Sequence, residues 1–245
     1  MTETPFSGIH LLGAPGEVMV PRPATEGLVD VAAERLDDRA TRVADVGTGS
    51  GAIAVALALR APAARIWATD TSGAAVRLAR ANVSRYGLDD RVDVLHADLL
   101  DGVPGDLDLV VANLPYLPDS LRTQRPELAS EPPEAVFAPG DGLGHYRRLL
   151  AACGSALHAD GAVAIQFHRR VILSEASELR ELGFAASFET WSAAPQSTTS
   201  PACTAASASA PRSSRPAASR PGSSARTAGS SCRSSASRAR ATTAS

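Results

Sequence analysis

The chain has 245 residues and a net charge of −2, and its three cysteines are odd in number and unevenly placed, which excludes a disulfide framework. The longest uncharged apolar run, residues 51–59, is too short to span a bilayer, and the N-terminus lacks the basic and apolar segments of a secretion signal. We therefore expect a cytoplasmic protein with no membrane span. The five histidines show no metal-ligand spacing, so we predict no metal site.

Charge divides the chain into two unequal parts. All 26 acidic residues and 17 of the 24 basic residues lie in residues 1–192, which therefore carry −9, while the remainder carries +7. Residues 192–245 contain no large apolar residue and consist almost wholly of Ser, Ala, Arg, Pro, Thr and Gly. Such a segment buries too little apolar surface to offset its ordering entropy, so we predict a disordered, low-complexity tail. We hypothesise that a frameshift in a GC-rich gene produced it.

Residues 1–23 form an N-terminal segment in which we expect a hairpin, and residues 24–191 alternate between short apolar runs and longer helical ones. In chain order the predicted elements are helix 24–37, strand Arg42–Val46, helix 51–60, strand Arg65–Asp70, helix 72–86, strands Val92–Ala97 and Leu107–Asn113, helix 143–158, strand Ala162–Phe167, helix 171–182 and strand Ala185–Thr190. This alternation predicts an α/β domain with an open, mostly parallel, doubly wound sheet. Ligands of such sheets bind beyond the carboxyl ends of the strands.

A glycine-rich turn follows the first predicted strand of this domain, in Asp45-Val46-Gly47-Thr48-Gly49-Ser50-Gly51. Glycines permit a tight turn there and let a ligand approach bare backbone. Gly47, Gly49 and Ala52 also match the dinucleotide-binding fingerprint, so a nicotinamide oxidoreductase stays an alternative.

Acidic residues follow the next two strands and distinguish this site from a plain glycine turn. Asp70 ends the second strand, where a carboxylate can accept hydrogen bonds from ribose hydroxyls, and Asp98 follows the third, where it can reach an adenine amino group. The arrangement resembles the class I S-adenosylmethionine-dependent methyltransferases. The resemblance implies S-adenosyl-L-methionine as cofactor, bound by Asp45, Gly47, Thr48, Gly49, Gly51, Asp70, Asp98 and Asn113.

The most specific motif is Asn113-Leu114-Pro115-Tyr116, at the end of the fourth strand. The Asn113 side-chain oxygen and the Leu114 carbonyl can accept the N–H bonds of a planar amide or amine, and Tyr116 can pack on the flat group. Methyl transfer to such a nitrogen depends on positioning, so we predict Asn113, Leu114, Pro115 and Tyr116 as the catalytic segment. The alternative is an ordinary Asn-x-Pro turn that closes a strand.

The Asn-Leu-Pro-Tyr motif and two further segments indicate which methyltransferases the chain resembles. Asn-Leu-Pro-Tyr is similar to the Asn-Pro-Pro-Tyr pattern of enzymes that methylate amino nitrogens and to the ribosomal-RNA adenine dimethylases. Residues 18–26, with Pro21-Arg22-Pro23, and residues 131–150, with Glu131-Pro132-Pro133, resemble segments of the release factor glutamine methyltransferases.

The resemblance covers residues 14–191 and implies methylation of the side-chain amide nitrogen of glutamine in the Gly-Gly-Gln loop of a peptide chain release factor, hence a role in translation termination. It makes Arg22, together with Asn113 and Tyr116, a predicted substrate-binding residue, and the release factor the expected partner.

Two other functions stay open. One is methylation of adenine amines in RNA or DNA, which the charge of −9 on residues 1–192 disfavours because phosphates need cationic partners. The other is an inactive cofactor-binding relative. The family's sheet contains an antiparallel strand between the fifth and sixth strands, and we expect nothing after Trp191 to form it.

Overall fold

The computed structural model describes residues 1–36, 41–168, 185–191 and 203–209. The strands in chain order are β1 (Thr2–Phe6), β2 (Ile9–Gly13), β3 (Arg42–Val46), β4 (Arg65–Asp70), β5 (Val92–His96), β6 (Leu107–Ala112), β7 (Leu117–Pro118), β8 (Phe137–Ala138), β9 (Leu157–His168), β10 (Ala185–Trp191) and β11 (Cys203–Ser209). The helices are α1 (Pro23–Ala33), α2 (Ala52–Arg60), α3 (Gly73–Arg85), α4 (Pro133–Val136) and α5 (Gly144–Ala156), with 3-10 turns at Asp119–Gln124 and Pro126–Leu128. The predicted helix 171–182 lies outside the described residues.

The main sheet has seven strands in the order β10-β11-β9-β6-β3-β4-β5. Neighbouring strands from β9 to β5 are parallel, which confirms the predicted α/β architecture. After β3 the chain adds β4 and β5 on one side and then returns to place β6 and β9 on the other. The switch point therefore lies between β3 and β6, and an open α/β sheet forms its ligand crevice at the carboxyl ends of such strands.

The sheet contains an antiparallel strand that the sequence did not lead us to expect. β11 pairs with β9 from Cys203↔His168 to Ser209↔Ala162 and with β10 from Ala185↔Ser209 to Trp191↔Cys203. The prediction that nothing after Trp191 forms this strand is therefore wrong for Cys203–Ser209. The segment lacks large apolar side chains, but strand pairing satisfies backbone N–H and C=O groups whatever the side chains are.

Apolar side chains of the sheet alternate between two layers, as strand geometry requires. In β6, Leu109 and Val111 pack with α1, α2 and α3, whereas Val110 and Ala112 pack with α5. Helices therefore cover both faces, and the sheet is doubly wound. Among the helices of the described residues, none has the length and apolar character that crossing a bilayer requires.

The N-terminal hairpin predicted for residues 1–23 is present as β1 and β2, paired from Thr2↔Gly13 to Phe6↔Ile9. Asn82 of α3 is fully buried and fastens it: its Oδ1 accepts from Leu12 N at 2.7 Å, and its Nδ2 donates to Leu12 O at 3.1 Å and to Ser50 O at 2.8 Å. One amide thus links the hairpin, α3 and the glycine turn. The chain after β2 is thereby brought over the carboxyl edge of the sheet.

Candidate functional site

A cavity of about 350 Å³ lies at the carboxyl edge of β3, β4, β5 and β6, a size within the range of small-molecule sites. Of the predicted site residues, those that line it are Gly47, Thr48, Gly49, Asp70, Asp98, Asn113, Leu114 and Pro115. Two segments away from the strand ends also contribute to the wall: residues 17–21, before α1, and residues 132–139, which include α4 and β8.

The glycine turn follows β3 and forms part of the cavity wall. Gly47 adopts a φ of +71°, which favours glycine, and a Cβ atom there would lie 2.6 Å from Leu114 Cδ2, so the leucine side chain would have to shift. The amides of Gly47 and Thr48 both donate to Thr69 O at 2.9 Å, which fastens the turn to β4. Gly51 lies outside the lining, because its backbone packs against Ala79 of α3.

Asp70, at the end of β4, orients the turn from the neighbouring strand. Its Oδ2 accepts from Gly49 N at 2.9 Å and its Oδ1 from Ser72 N at 2.8 Å. A carboxylate oxygen can accept more than one hydrogen bond, so the side chain that holds the turn can still accept hydroxyl donors from the cavity.

Asp45 lies beneath the cavity rather than in its wall. The residue is 0% exposed, and its Oδ2 accepts from Thr48 Oγ1 at 2.6 Å and from Ala54 N at 3.0 Å. Burial raises the pKa of Asp45 from 3.8 to about 7; the charge of Asp70 adds to this, and the two hydrogen bonds oppose it. Its Oδ1 is buried with no hydrogen-bond partner among the described residues. Asp45 therefore braces the turn against α2 from below, which differs from the predicted direct contact with a cofactor.

Asp98 lies after β5 on the far side of the cavity. Its Oδ2 accepts from Arg148 Nη2, and this hydrogen bond raises the pKa of the Arg148 guanidinium. Thr69 Oγ1 donates to Leu99 O at 2.7 Å and holds the neighbouring residue, whose φ is +50°. Asp70 and Asp98 are thus presented to one cavity from adjacent strands, as predicted from their positions at strand ends.

Asn113 follows β6, next to the strand that carries the glycine turn. Its Nδ2 donates to Oγ1 of Thr25, in the first turn of α1, at 3.1 Å. The nitrogen branch of the amide is therefore engaged, and the oxygen branch is the one left to accept a donor. Thr25 is buried, lies 88 residues away in sequence and also lines the cavity.

The peptide unit of Leu114 is held by a buried tyrosine. Tyr146 Oη accepts a hydrogen bond from Leu114 N at 3.0 Å. The same oxygen lies 2.8 Å from Gln166 O and 3.1 Å from Leu114 O, and its single proton can be donated to the nearer of these, Gln166 O. Burial raises the pKa of Tyr146 well above its usual value, so the hydroxyl stays protonated. The side chain of α5 thus fixes the backbone of Leu114, whose carbonyl is predicted to accept a substrate N–H.

Tyr116 lies outside the cavity lining and packs, half-buried, against the core layer that contains α5. Gly142, with a φ of +91°, lies close to the Tyr116 carbonyl: a Cβ atom on Gly142 would be 2.3 Å from Tyr116 O. The backbone of the loop after Asn113 therefore lies against Gly142, where only glycine fits.

Arg22 also lies outside the lining and is paired. Its Nη2 donates to Glu131 Oε1 at 2.7 Å, while Glu131 Oε2 accepts from Val20 N at 3.1 Å. The Glu131 side chain is only 6% exposed, so this carboxylate is a built connection between the two wall segments of the cavity. Arg22, which was predicted to bind substrate, forms this ion pair in the structure.

Comparison with known proteins fits this geometry. Residues 23–125 match the family model described as the methyltransferase small domain. The release factor glutamine methyltransferase of Deinococcus radiodurans is 40% identical over 186 residues, and that of Moorella thermoacetica is 42% identical over 152 residues. The chain belongs to the release factor glutamine methyltransferase family.

The matched regions are partial on both sides. They cover 75% of this chain and 66% of the Deinococcus radiodurans relative, and 61% of this chain and 54% of the Moorella thermoacetica relative. The chain thus spans between about half and two thirds of the length of these release factor glutamine methyltransferases.

Solved structures agree with the fold expected of a release factor glutamine methyltransferase. A ribosomal protein L11 methylase from Lactobacillus delbrueckii matches with a TM-score of 0.52 and 23% identity, covering 78% of this chain and 81% of that one. The hMettl16 catalytic domain in complex with MAT2A 3′UTR hairpin 6 matches with a TM-score of 0.63 and 18% identity, covering 81% of this chain and 74% of that one. At these identities the likeness shows the class I methyltransferase fold.

Sequence reasoning missed three residues that organise the site of this family member. Thr25, Glu131 and Tyr146 lie inside the segments that carry the family resemblance, yet no local pattern says what each one touches. Each acts on a residue more than 30 positions away. That signal exists only once the chain is folded.

Proposed function

We propose that the chain transfers a methyl group from S-adenosyl-L-methionine to the side-chain amide nitrogen of a glutamine, in the Gly-Gly-Gln loop of a peptide chain release factor. The observation that carries the proposal is the junction of the glycine turn and the Asn113 loop. They follow adjacent parallel strands, with Val46 paired to Ala112, and Leu114 packs on Gly47. A cofactor on the turn and an acceptor at Asn113 would therefore share one cavity.

The residues of the cavity fit this cofactor. The carboxylates of Asp70 and Asp98 offer acceptors to ribose hydroxyls and to an adenine amino group, and Gly49 offers backbone without a side chain at a φ of +56°. When bound, S-adenosyl-L-methionine supplies a methyl group on a positively charged sulfur. Thr48 and Gly47 complete the proposed binding set, with Asp45 and Gly51 acting from beneath.

Two acceptors hold the glutamine amide. Asn113 Oδ1 and the Leu114 carbonyl each accept one of its N–H bonds, which orients the nitrogen and draws its lone pair out of conjugation with the glutamine carbonyl. The nitrogen gains the methyl group and loses one proton, which passes to water. Because the work is orientation, it can supply up to about 7–11 kcal/mol of the barrier without a strong base.

Arg22 and Tyr116 would act on the acceptor indirectly. Arg22 pairs with Glu131, which joins the two wall segments through Val20 N, and the Tyr116 backbone lies close beneath Gly142. The charge of −9 over residues 1–192 supports a protein acceptor over a nucleic-acid acceptor, because nucleic-acid phosphates need cationic partners. A release factor substrate also assigns the activity to the cytoplasm, where translation terminates.

The proposal is tested by acceptor choice. The chain is incubated with S-adenosylmethionine carrying a labelled methyl group and with a release factor, with the same release factor whose Gly-Gly-Gln glutamine is replaced by alanine, or with an adenine-containing oligonucleotide. Label in the first acceptor alone is expected. Label in the oligonucleotide, or equal label in both release factors, would overturn the assignment to glutamine.

Calorimetric titration with S-adenosylmethionine and with NAD separates the cofactors. Saturable binding of S-adenosylmethionine alone is expected, and binding of NAD alone would point back to a nicotinamide enzyme.

A further inference from the structure

We propose that Thr25 is a positioning residue that sets the orientation of the Asn113 amide for the methyl acceptor. This inference rests on the proposed function and adds to it a residue outside the Asn-Leu-Pro-Tyr motif. Its basis is the hydrogen bond from Asn113 Nδ2 to Thr25 Oγ1, 3.1 Å long, which joins the first turn of α1 to the end of β6.

The chemistry of a primary amide makes this contact matter. The two branches of the Asn113 side chain have nearly the same shape but opposite hydrogen-bond roles, and rotation about the last torsion exchanges them. Only the oxygen can accept the N–H of a glutamine amide, so the rotated state would present a donor to a donor. Holding the nitrogen fixes the oxygen, and no described residue hydrogen-bonds to Asn113 Oδ1.

The surroundings of Thr25 hold its hydroxyl in place. The residue is 4% exposed, and its backbone N donates to Arg22 O at 2.8 Å. Arg22 is itself clamped to the buried Glu131. The hydroxyl therefore sits on a rigid helix start, which suits a group that must hold another side chain within narrow limits.

Two variants test the role. Thr25→Val keeps the shape and removes the hydroxyl, whereas Thr25→Ser keeps the hydroxyl and removes a methyl group. The matched control is Thr41→Val, because Thr41 is equally buried but its Oγ1 has no hydrogen-bond partner among the described residues. Methyl transfer to the release factor is measured as kcat and KM, and S-adenosylmethionine affinity by calorimetry.

Thr25→Val is expected to lower kcat by about tenfold or more, the scale of one lost orienting hydrogen bond, with cofactor affinity within about twofold of wild type. Thr25→Ser should recover kcat to within about threefold, and Thr41→Val should match wild type. Equal kcat for the valine and serine variants at position 25, at any level, would overturn the proposal, because it would show that the hydroxyl is not what matters.

A second readout does not depend on activity. In ¹H–¹⁵N spectra, the Asn113 side-chain amide is assigned by its loss in Asn113→Asp, and its hydrogen exchange is measured. We expect slowed exchange in wild type and Thr25→Ser and fast exchange in Thr25→Val; unchanged exchange in Thr25→Val would overturn the proposal. If wild type transfers no methyl group to glutamine, the proposed function fails, and this signal still decides whether Thr25 orients Asn113.

Discussion

Replacing Tyr146 with phenylalanine removes one hydroxyl from beneath the Asn113 loop and leaves the buried ring in place. Tyr146 Oη accepts from Leu114 N at 3.0 Å and lies 2.8 Å from Gln166 O, and the residue is 1% exposed. Water cannot take the place of the lost hydroxyl at that depth without opening the core. The Leu114 N–H is then left buried without a partner.

The expected loss of stability comes from the unpaired N–H group of Leu114. An unsatisfied buried donor costs about 1–3 kcal/mol, whereas phenylalanine adds no cavity. We therefore expect Tyr146→Phe to lower the free energy of unfolding by about 2 kcal/mol, measured by urea titration, or the melting temperature by about 4–8 °C for a domain of this size. Because the same hydroxyl fixes the Leu114 backbone, whose carbonyl is proposed to accept the substrate N–H, kcat for methyl transfer should fall by about tenfold or more.

Tyr86 supplies the matched control. Its hydroxyl makes the same pair of bonds to a single residue, donating to His10 O at 2.8 Å and accepting from His10 N at 2.9 Å, but at the surface of the hairpin. Water can replace that hydroxyl, so Tyr86→Phe should lose less than half as much stability and retain kcat. An equal loss of stability in the two variants, or wild-type kcat in Tyr146→Phe, would show that the buried hydroxyl does not hold the Leu114 backbone.

Three further predictions follow from the site. Gly142→Ala should lower the free energy of unfolding by more than about 3 kcal/mol, because its Cβ would lie 2.3 Å from Tyr116 O at a φ of +91°. Gly140→Ala, with a φ of +66° and open space, should cost only about 1–2 kcal/mol, and comparable costs by urea titration would argue against the close approach. Burial raises the pKa of Asp45 to about 7, so the folded state holds this proton more tightly than the unfolded chain, and the stability that the group contributes is lost as pH rises from about 4 to 7. Asp45→Asn should therefore gain stability relative to wild type in urea titrations at about pH 8 but not at about pH 5, and a difference that is independent of pH would place the carboxyl outside that environment. Glu131→Ala should weaken S-adenosylmethionine binding severalfold by calorimetry, since it separates the two wall segments; unchanged affinity would show that the clamp does not shape the cavity.

The strands that present the site were predictable because their signal is local. β3 and β4 have the bounds expected from their apolar runs, and the turn after β3 follows from its glycines. Asp70 and Asp98 could be assigned to one sheet edge because parallel strands end at the same side. The topology was therefore enough to predict that the glycine turn, Asp70, Asp98 and the Asn113 loop line one cavity.

What sequence reasoning could not supply depends on contacts between distant segments. In the sequence, Asp45 looks like another acidic residue near a strand end. Only its complete burial shows that it supports the glycine turn from below. From the sequence, Arg22 is expected to be unpaired, and only the folded structure shows its ion pair with Glu131. β11 was missed for a different reason, because its small and polar residues carry no strand signal and its place is set by the open edges of β9 and β10.

The most direct test of the account is methyl transfer by wild type and Asn113→Ala, with the methylated residue of the release factor located by tandem mass spectrometry and cofactor affinity measured in parallel. We predict one methyl group on the glutamine of the Gly-Gly-Gln loop with wild type, none with the variant, and S-adenosylmethionine affinity within about threefold in the two proteins, since Asn113 adds one polar contact to a site built by Gly49, Asp70 and Asp98. Normal methylation by Asn113→Ala would contradict the assignment of this side chain to the acceptor, and a methyl group on any other residue would contradict the assignment of the substrate.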